Sequence, residues 1–163
     1  MIAGTGSGCG KTMVTLAVLR AMQRRNIPLA AFKCGPDYID PMFHKAVLGI
    51  PSRNLDLFFI SEREVRGQIV RSIPQNGIGV IEGVMGFYDG VSGTTDTASA
   101  AHLARETGTP AILVVRPKGQ SLSLAAMLSG FRNFAENTLC GVILNGIRIQ
   151  CILFIVILCR NPD

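Results

Sequence analysis

The sequence contains neither the cysteine pairs nor the histidines from which zinc sites are usually built. Only two histidines are present, and no two cysteines form a C-x-x-C pair, so a structural zinc module is excluded. Unpaired cysteines in a chain that is 48% hydrophobic are typical of a reducing compartment, and we expect a cytoplasmic protein. The five cysteines are Cys9, Cys34, Cys140, Cys151 and Cys159.

Signals for export or membrane insertion are also missing. The start, MIAGTGSG, lacks the basic region and the long apolar stretch of a signal peptide. The apolar run CILFIVILC extends only from Cys151 to Cys159, whereas a membrane-spanning helix needs roughly 20 residues. We therefore expect no membrane partner.

The sequence has little excess charge of either sign. Its net charge of +5 is spread along 163 residues, and the cluster of Arg20, Arg24 and Arg25 is typical of the solvated end of a helix. We expect no nucleic-acid partner, while a mild positive charge suits an anionic small molecule. The length favours a single domain, and the hydrophobic content excludes a disordered chain.

Short apolar runs alternate with helical patterns along the chain. Uninterrupted apolar strands separated by helices predict an α/β fold with a mostly parallel sheet and helices on both faces. Ser61 and Glu64 form a capping box at the start of one helix, and Asp96 is expected to cap another. The predicted strands cover residues 2–3, 29–33, 78–82, 111–115 and 140–145, and the predicted helices cover 11–22, 61–72, 96–106 and 121–134.

The loops that follow the predicted strands are rich in glycine and polar residues. They cover residues 4–12, 33–44, 82–96 and 116–120. The carboxyl ends of parallel strands meet at one edge of the sheet, and ligands of such sheets bind at that edge. We therefore expect the binding site there.

The first of these loops, GTGSGCGKT, is typical of a phosphate-binding loop. Its glycines allow successive backbone N–H groups to turn toward a phosphate, and the helix that follows adds positive potential. Lys11 would reach the β- and γ-phosphates of ATP, and the Thr12 hydroxyl would ligate Mg²⁺. The pattern departs from G-x-x-x-x-G-K-[ST] because Thr5 replaces the first glycine. The predicted nucleotide-binding residues are Gly6, Ser7, Gly8, Cys9, Gly10, Lys11 and Thr12.

Two other kinds of glycine-rich loop fit the sequence less well. A dinucleotide-binding fingerprint would require a glycine at Cys9 and an acidic residue at Lys33. A switch ATPase of the partitioning or nitrogenase-iron-protein kind would carry a second lysine at Gly6. The register without that lysine resembles dethiobiotin synthetase and its relatives, which phosphorylate a carboxylate or a carbamate. This resemblance implies a P-loop NTPase-like sheet of the dethiobiotin-synthetase type.

The second loop has the sequence KCGPDYIDPMFH, from Lys33 to His44. Glycine and two prolines punctuate it so heavily that we predict a rigid loop rather than a helix or a central strand. Asp40 either begins a turn or contacts the ligand. His44 either packs internally or caps a short helix after it, or it contacts the ligand. The sequence leaves both alternatives open.

The third loop lies within VIEGVMGFYDG and follows a strand that ends at Glu82. A carboxylate at the end of a strand opposite a phosphate loop is suited to hold Mg²⁺, although a turn acid paired with arginine or backbone is the alternative. Asp89 is predicted to contact the ligand, and its alternative role is ordinary Asp-Gly turn chemistry.

Four motifs in this order, GTGSGCGKT, KCGPDYIDPMFH, NLDLF and EGVMGFYDG, resemble the ATP-binding half of cobyrinic acid a,c-diamide synthases. The resemblance runs from about Ile2 to Asn145. It implies ATP-dependent amidation of the a- and c-acetate groups of a corrinoid in cobalamin biosynthesis. In that chemistry ATP phosphorylates a substrate carboxylate, and ammonia from glutamine displaces phosphate from the acyl phosphate.

The same resemblance implies roles for particular residues. Lys33 would face the transferred phosphoryl group or the substrate carboxylate. The implied catalytic residues are Lys33, Asp37, Glu82 and Asp89; the implied Mg²⁺ ligands are Thr12, Asp37 and Glu82; the implied substrate contacts are Tyr38, Ile39 and Asp89.

The chain departs from this family in two respects. No cysteine has the context of a glutaminase nucleophile, and both histidines lie in the ATP-binding half, so we expect ammonia from a glutaminase domain that this chain lacks. Residues 146–163 are apolar and β-branched, which favours an aberrant, aggregation-prone tail over an extra edge strand. We expect a partial ATP-binding amide-synthetase domain at residues 1–145, with a few residues missing before a very short first strand.

Three other functions stay open at this point. The related a,c-diamide synthase of the nickel tetrapyrrole pathway shares these motifs. A P-loop switch ATPase that binds partner proteins would need the lysine that is missing at Gly6. An inactive fragment is the third alternative, and the resemblance also leaves room for a homodimer.

Overall fold

The computed structural model describes residues 1–37 and 39–147, with the side chains of residues 39–41 and 43 excepted. Strands and helices alternate along this part of the chain. The strands are β1 (Ile2–Gly4), β2 (Leu29–Cys34), β3 (Ser52–Leu55), β4 (Ile78–Glu82), β5 (Ala111–Val115) and β6 (Leu139–Leu144). The helices are α1 (Lys11–Gln23), α2 (Ile39–Leu48), α3 (Glu62–Ser72), α4 (Ala100–Thr107) and α5 (Leu122–Asn133).

The six strands form one sheet in the order β3-β2-β4-β1-β5-β6, and every pairing is parallel. The predicted α/β fold of the P-loop NTPase type is therefore confirmed. The chain leaves β1 toward one side of the sheet and later passes from β4 to β5 across β1. Sheets with such a reversal bind ligands at the point where it occurs, beyond the carboxyl ends of the strands.

Helices cover both faces of the sheet. Side chains along a strand point alternately to opposite faces, so each buried strand contributes to two cores. On one face Phe32 belongs to a cluster with residues of α3, α4 and α5; on the other face Ala31 packs with residues of α1 and α2. The helix residues concerned are Val65, Leu103 and Leu128 on the first face, and Leu19 and Leu48 on the second.

The capping box predicted for α3 is confirmed. The Ser61 hydroxyl accepts a hydrogen bond from the Glu64 N–H, and the Glu64 carboxylate accepts one from the Ser61 N–H. The cap predicted for α4 is wrong. Ser99, not Asp96, occupies the N-cap and accepts from the His102 N–H, while Asp96 pairs with Arg105 at 2.6 Å.

The prediction that residues 33–44 form a loop is wrong in its extent. Lys33 and Cys34 end β2, and α2 begins at Ile39, so the helix contains Pro41. Proline is tolerated in the first turn of a helix, because the N–H that it lacks would have no partner there and its φ already suits a helix. The two prolines therefore flank the start of a helix.

The sequence patterns also missed β3, whose residues are SRNL. Among the strands that the structure describes, β3 pairs only with β2 and lies at the edge of the sheet. Of the predicted apolar tail, only Gly146 and Ile147 fall within the described residues, and residues 148–163 lie outside them. Within residues 1–37 and 39–147, no helix has the length and apolar character needed to cross a bilayer.

Candidate functional site

The predicted phosphate loop connects β1 to α1 and curves over the end of its own strand. The Thr5 N–H donates to the Val114 carbonyl at 3.2 Å, which anchors the loop to β5. A Cβ atom at Gly4 would collide with the Cys9 sulfur, which is buried beneath the loop. A Cβ at Gly6 or Gly8 would meet nothing within 4 Å, so these positions face open space. Gly6 and Gly8 thus leave the loop backbone open to a ligand at these two positions.

Lys11 begins α1 and folds back across the phosphate loop. Its ammonium donates to the Gly6 carbonyl at 2.9 Å and to the Met85 carbonyl at 2.6 Å. The side chain is almost buried, at 8% exposure. The cation therefore lies between the phosphate loop and the loop that follows β4, where an anionic group held by the first loop would meet it.

Glu82 ends β4 and is fully buried. Its Oε1 accepts from the Thr12 hydroxyl at 2.6 Å and from the Lys33 ammonium at 3.2 Å, and its Oε2 lies 3.0 Å from His44 Nε2. Burial alone would raise the pKa of Glu82, but the bonds to His44 and Thr12 and the charge of Lys33 outweigh burial and lower that pKa. Glu82 is therefore held as a carboxylate.

Lys33 joins two acidic side chains at the end of β2. Besides its bond to Glu82, its ammonium lies 3.7 Å from Asp37 Oδ2 and donates to the Gly83 carbonyl at 3.1 Å. The register places Lys33 opposite both Glu82 on β4 and Asn54 on β3. A positive charge thus already lies between two of the carboxylates predicted to hold a metal.

The donor set around Glu82 suits a hard divalent cation. Thr12, Asp37 and Glu82 offer one hydroxyl and two carboxylates, which are the oxygen ligands that Mg²⁺ prefers. The Thr12 hydroxyl donates its hydrogen bond to Glu82, so the lone pairs of its oxygen stay available to a cation. The Lys33 ammonium already pairs with both carboxylates, so a bound cation would share them with Lys33. These residues therefore fit Mg²⁺.

His44 is fully buried and does not face the open side of the loop. A carboxylate can only accept, so the bond to Glu82 Oε2 places the proton on Nε2. The other ring nitrogen, Nδ1, lies 3.0 Å from the Ser52 hydroxyl on β3. Of the two alternatives left open for His44, the structure favours internal packing, with a direct hold on Glu82. Ser52 belongs to no sequence motif, and its contact with His44 follows only from the position of β3, a strand that the sequence patterns did not predict.

The loop after β4 is tied to the phosphate loop and to α5. The Phe87 N–H donates to the Gly4 carbonyl at 2.8 Å, and the Phe87 ring is fully buried. The Tyr88 hydroxyl donates to the Phe131 carbonyl at 2.7 Å, and burial raises the pKa of Tyr88. These two anchors could not be predicted from the sequence, because the alternation of buried residues that marks a strand does not extend into a loop.

Asp89 lies exposed beyond those anchors. Its Oδ2 accepts from the Gly86 N–H at 2.8 Å, which is the turn chemistry weighed as its alternative role. Ile39 is the first residue of α2. Tyr38 and the side chain of Ile39 lie outside the described residues, so the substrate contacts predicted for these two residues stay predictions.

A second group of acidic and histidine side chains, Glu62, His102 and Glu106, lies on α3 and α4. His102 Nδ1 accepts from the Ala98 N–H at 3.0 Å, so Nε2 carries the proton in the neutral ring and has no lone pair for a metal. Glu106 pairs with Arg66 at 3.0 Å. We therefore place no metal there.

Comparison with known proteins agrees with this arrangement. Residues 1–151 match the family model described as the CobQ/CobB/MinD/ParA nucleotide binding domain. The chain is 46% identical over 146 residues to a cobyrinate a,c-diamide synthase of Salmonella typhimurium, covering 89% of this chain and 32% of that protein. Synthases of the same name from Clostridium acetobutylicum and Thermoplasma volcanium are 48% and 47% identical over 149 and 143 residues.

These two alignments cover 90% and 88% of this chain, and 33% and 31% of the respective relatives. The chain thus spans about a third of the length of the curated relatives it matches, and the resemblance found in the sequence motifs is confirmed. With a parallel sheet, a phosphate loop between β1 and α1 and a family match over residues 1–151, the chain belongs to the CbiA family of CobQ/CobB/MinD/ParA nucleotide-binding domains.

Proposed function

We propose that this chain is the ATP-binding part of a cobyrinate a,c-diamide synthase, which activates corrinoid acetate groups for amidation. The observation that carries the proposal is the 2.6 Å hydrogen bond from Thr12, the residue that follows the phosphate-loop lysine, to Glu82. It joins a phosphate loop to a carboxylate that suits Mg²⁺. The similarity to three proteins named cobyrinate a,c-diamide synthase supports the choice of reaction.

In this proposal the phosphate loop binds the triphosphate of ATP through the backbone of residues 6–12. Lys11 exchanges its bonds to backbone carbonyls for the β- and γ-phosphates, because a charged acceptor is stronger than a neutral one. Thr12, Asp37 and Glu82 would hold Mg²⁺, which neutralises charge on the triphosphate.

The chemistry follows from placing a carboxylate next to the γ-phosphate. An oxygen of the substrate acetate attacks the γ-phosphorus, and the bond to ADP breaks. The nitrogen of ammonia then attacks the acyl carbon, phosphate leaves, and an amide remains. Lys33 stabilises negative charge at the transferring group, since it lies at the same strand ends as Glu82 and Asp37. Tyr38, Ile39 and Asp89 are the proposed substrate contacts.

Ammonia reaches this reaction from outside the chain in our proposal. The relatives are about three times as long as the matched region, which leaves ample length for a glutaminase domain in them. We assign residues 1–145 to the amide-synthetase domain and propose that residues 146–163, of which the family model matches only the first six, are foreign to it. The described free cysteines, including the buried Cys9 and Cys34, support a reducing, cytoplasmic location.

Hydroxylamine trapping tests this function without a glutaminase. The chain is incubated with Mg-ATP, cobyrinic acid and hydroxylamine, which attacks an acyl phosphate in place of ammonia. We expect corrinoid hydroxamates, detected by mass spectrometry, together with ADP in equal amount. Lys11→Ala should abolish both products, whereas the matched control Lys45→Ala, on the exposed last turn of α2, should not.

Two results would overturn the proposal. ADP that forms at the same rate without cobyrinic acid would mean that the chain hydrolyses ATP for another purpose. Tight binding of Mg-ATP with neither ADP nor hydroxamate would mean that the chain binds nucleotide but does not activate this carboxylate.

A further inference from the structure

Asn145 connects the last described strand to the first loop of the chain. It follows β6, and its side-chain amide Nδ2 donates to the Cys9 carbonyl at 2.8 Å, across 136 positions of sequence. Its own N–H donates to the Val115 carbonyl at 2.7 Å and so continues the ladder between β5 and β6. The amide is therefore carried on a fixed part of the sheet.

The bond to Cys9 fixes the orientation of one peptide unit in the phosphate loop. A peptide unit is planar and trans, so its C=O and its N–H point in opposite directions. When the Cys9 carbonyl faces Asn145, the Gly10 N–H must face away from β6. Gly10 is the N-cap of α1 and lies in the left-handed region, with φ 100. A Cβ atom at this position would collide with the Asn145 amide, so the two residues fit closely.

We propose that Asn145 is a positioning residue for phosphate binding. It holds the Cys9–Gly10 peptide in the one orientation that directs the N–H groups at the start of α1 to an anion. Asn145 acts through the loop and contacts no phosphate itself. The inference rests on the proposed function of the phosphate loop, and it adds a residue from the far end of the domain to that site.

Binding of tripolyphosphate, which has no nucleoside, separates this role from recognition of the base. Calorimetry would measure the affinities of the chain for Mg-ATP and for magnesium tripolyphosphate. In Asn145→Asp the side chain keeps its shape but presents an acceptor to the Cys9 carbonyl. We expect both affinities to fall by the same factor, about five- to tenfold, as one hydrogen bond is lost. Asn145→Ala should behave alike.

Asn137→Ala is the matched control. Asn137 Nδ2 donates to the carbonyls of Arg132 and Ala135, at 2.9 and 2.7 Å, in the connection between α5 and β6. The control loses comparable bonds without a contact to the phosphate loop, and we expect it to bind both probes as the parent does. Circular dichroism of all variants verifies that the sheet is retained.

The outcomes distinguish this inference from the function on which it rests. If Asn145→Asp weakens Mg-ATP but not tripolyphosphate, Asn145 serves the nucleoside and the inference is wrong. Equal losses in Asn145→Asp and Asn137→Ala, or no loss in either, would also overturn it. A parent chain that binds neither probe would overturn the phosphate loop itself.

Discussion

Among single residues, Glu82 is fully buried and makes three polar contacts in the site. Its two oxygens meet a hydroxyl, an ammonium and an imidazole, which come from α1, β2 and α2 respectively. A buried carboxylate is costly unless it is fully paired, so these contacts maintain the charge that a metal requires. The site therefore depends on one side chain that three elements hold in place.

Removal of this charge should affect nucleotide binding through the metal. Glu82→Gln keeps the shape of the side chain but cannot balance a dication, so Mg-ATP affinity should fall by about 1–3 kcal/mol. Affinity for ATP in the presence of a chelator should change far less. Calorimetry with and without Mg²⁺ measures both, and Glu136→Gln on the surface is the control. Equal losses with and without Mg²⁺ would show that Glu82 does not serve the metal.

Cys34, one residue beyond Lys33, should make the free energy of unfolding depend on pH in a definite direction. Burial raises the pKa of this thiol from 9.0 to about 12, although the Lys33 ammonium opposes the shift. The folded chain therefore keeps a proton that the unfolded chain loses above pH 9.0. The contribution of this thiol to the free energy of unfolding is intact below that pH and is lost as pH rises toward about 12.

The same shift predicts the reactivity of the thiol. The thiolate is the nucleophile, so at pH 8 we expect iodoacetamide to label the exposed Cys140 well before the buried Cys34. Peptide mass spectrometry at timed intervals measures the two rates in the native chain, and labelling in denaturant provides the reference. Labelling of Cys34 as fast as Cys140 under native conditions would contradict the burial described here.

At the scale of elements, two residues, Ser99 and Asp96, were candidates to cap the start of α4, and Ser99 occupies the N-cap. The Ser99 hydroxyl is buried and accepts from the His102 N–H at 3.1 Å, whereas Asp96 forms a partly exposed ion pair with Arg105. Ser99→Ala should lower the free energy of unfolding by about 0.5–2 kcal/mol, and Asp96→Ala by about 0–1 kcal/mol. Urea denaturation measures both. A larger loss in Asp96→Ala would restore Asp96 as the stabilising residue.

Most elements could be predicted because their sequence patterns are locally complete. The runs VI, ILVV and VIL are apolar without interruption and lie in β4, β5 and β6. β3 could not be predicted, because an edge strand with the sequence SRNL is stabilised by pairing with β2 rather than by its own pattern. α2 could not be predicted from the pattern, because proline usually interrupts a helix, whereas Pro41 lies in the first turn, where proline is allowed.

Part of the candidate site was also predictable from the sequence. Lys11, Thr12, Lys33 and Glu82 belong to glycine-rich motifs at strand ends, and parallel strands bring such ends together. Their roles toward ligand remain predictions. Ser52 and Asn145 could not be assigned from the sequence, because their contacts depend on the register of neighbouring strands and on distances across the whole sheet.

At the scale of the whole molecule, ligand binding should stabilise the sheet as a unit. The residues proposed to bind Mg-ATP come from the β1–α1 connection, the start of α1, the end of β4 and the segment after β2, so the unfolded chain cannot assemble them. At a ligand concentration 100 times its Kd, the free energy of unfolding should rise by about 2.7 kcal/mol. For a chain of this size that corresponds to a rise in Tm of roughly 5–10 °C.

A thermal shift assay with an extrinsic dye measures this effect. Titration of Mg-ATP should raise Tm progressively, and a chelator should remove most of the rise. Lys11→Ala provides the control, because it lacks the ammonium expected to meet the phosphates. A Tm that does not respond to Mg-ATP in the parent chain would contradict binding to the folded state.

The strand order has a consequence for folding while the chain is still being synthesised on the ribosome. β1 is translated before its two neighbours, β4 and β5, and the amide that binds Cys9 comes from Asn145. A strand of three residues has too few hydrogen bonds to persist alone, and contacts so distant in sequence form slowly. The phosphate-loop residues of a chain under synthesis therefore stay without their final contacts until Asn145, 136 positions after Cys9, has been added. The loop owes its shape to residues that are translated long after it.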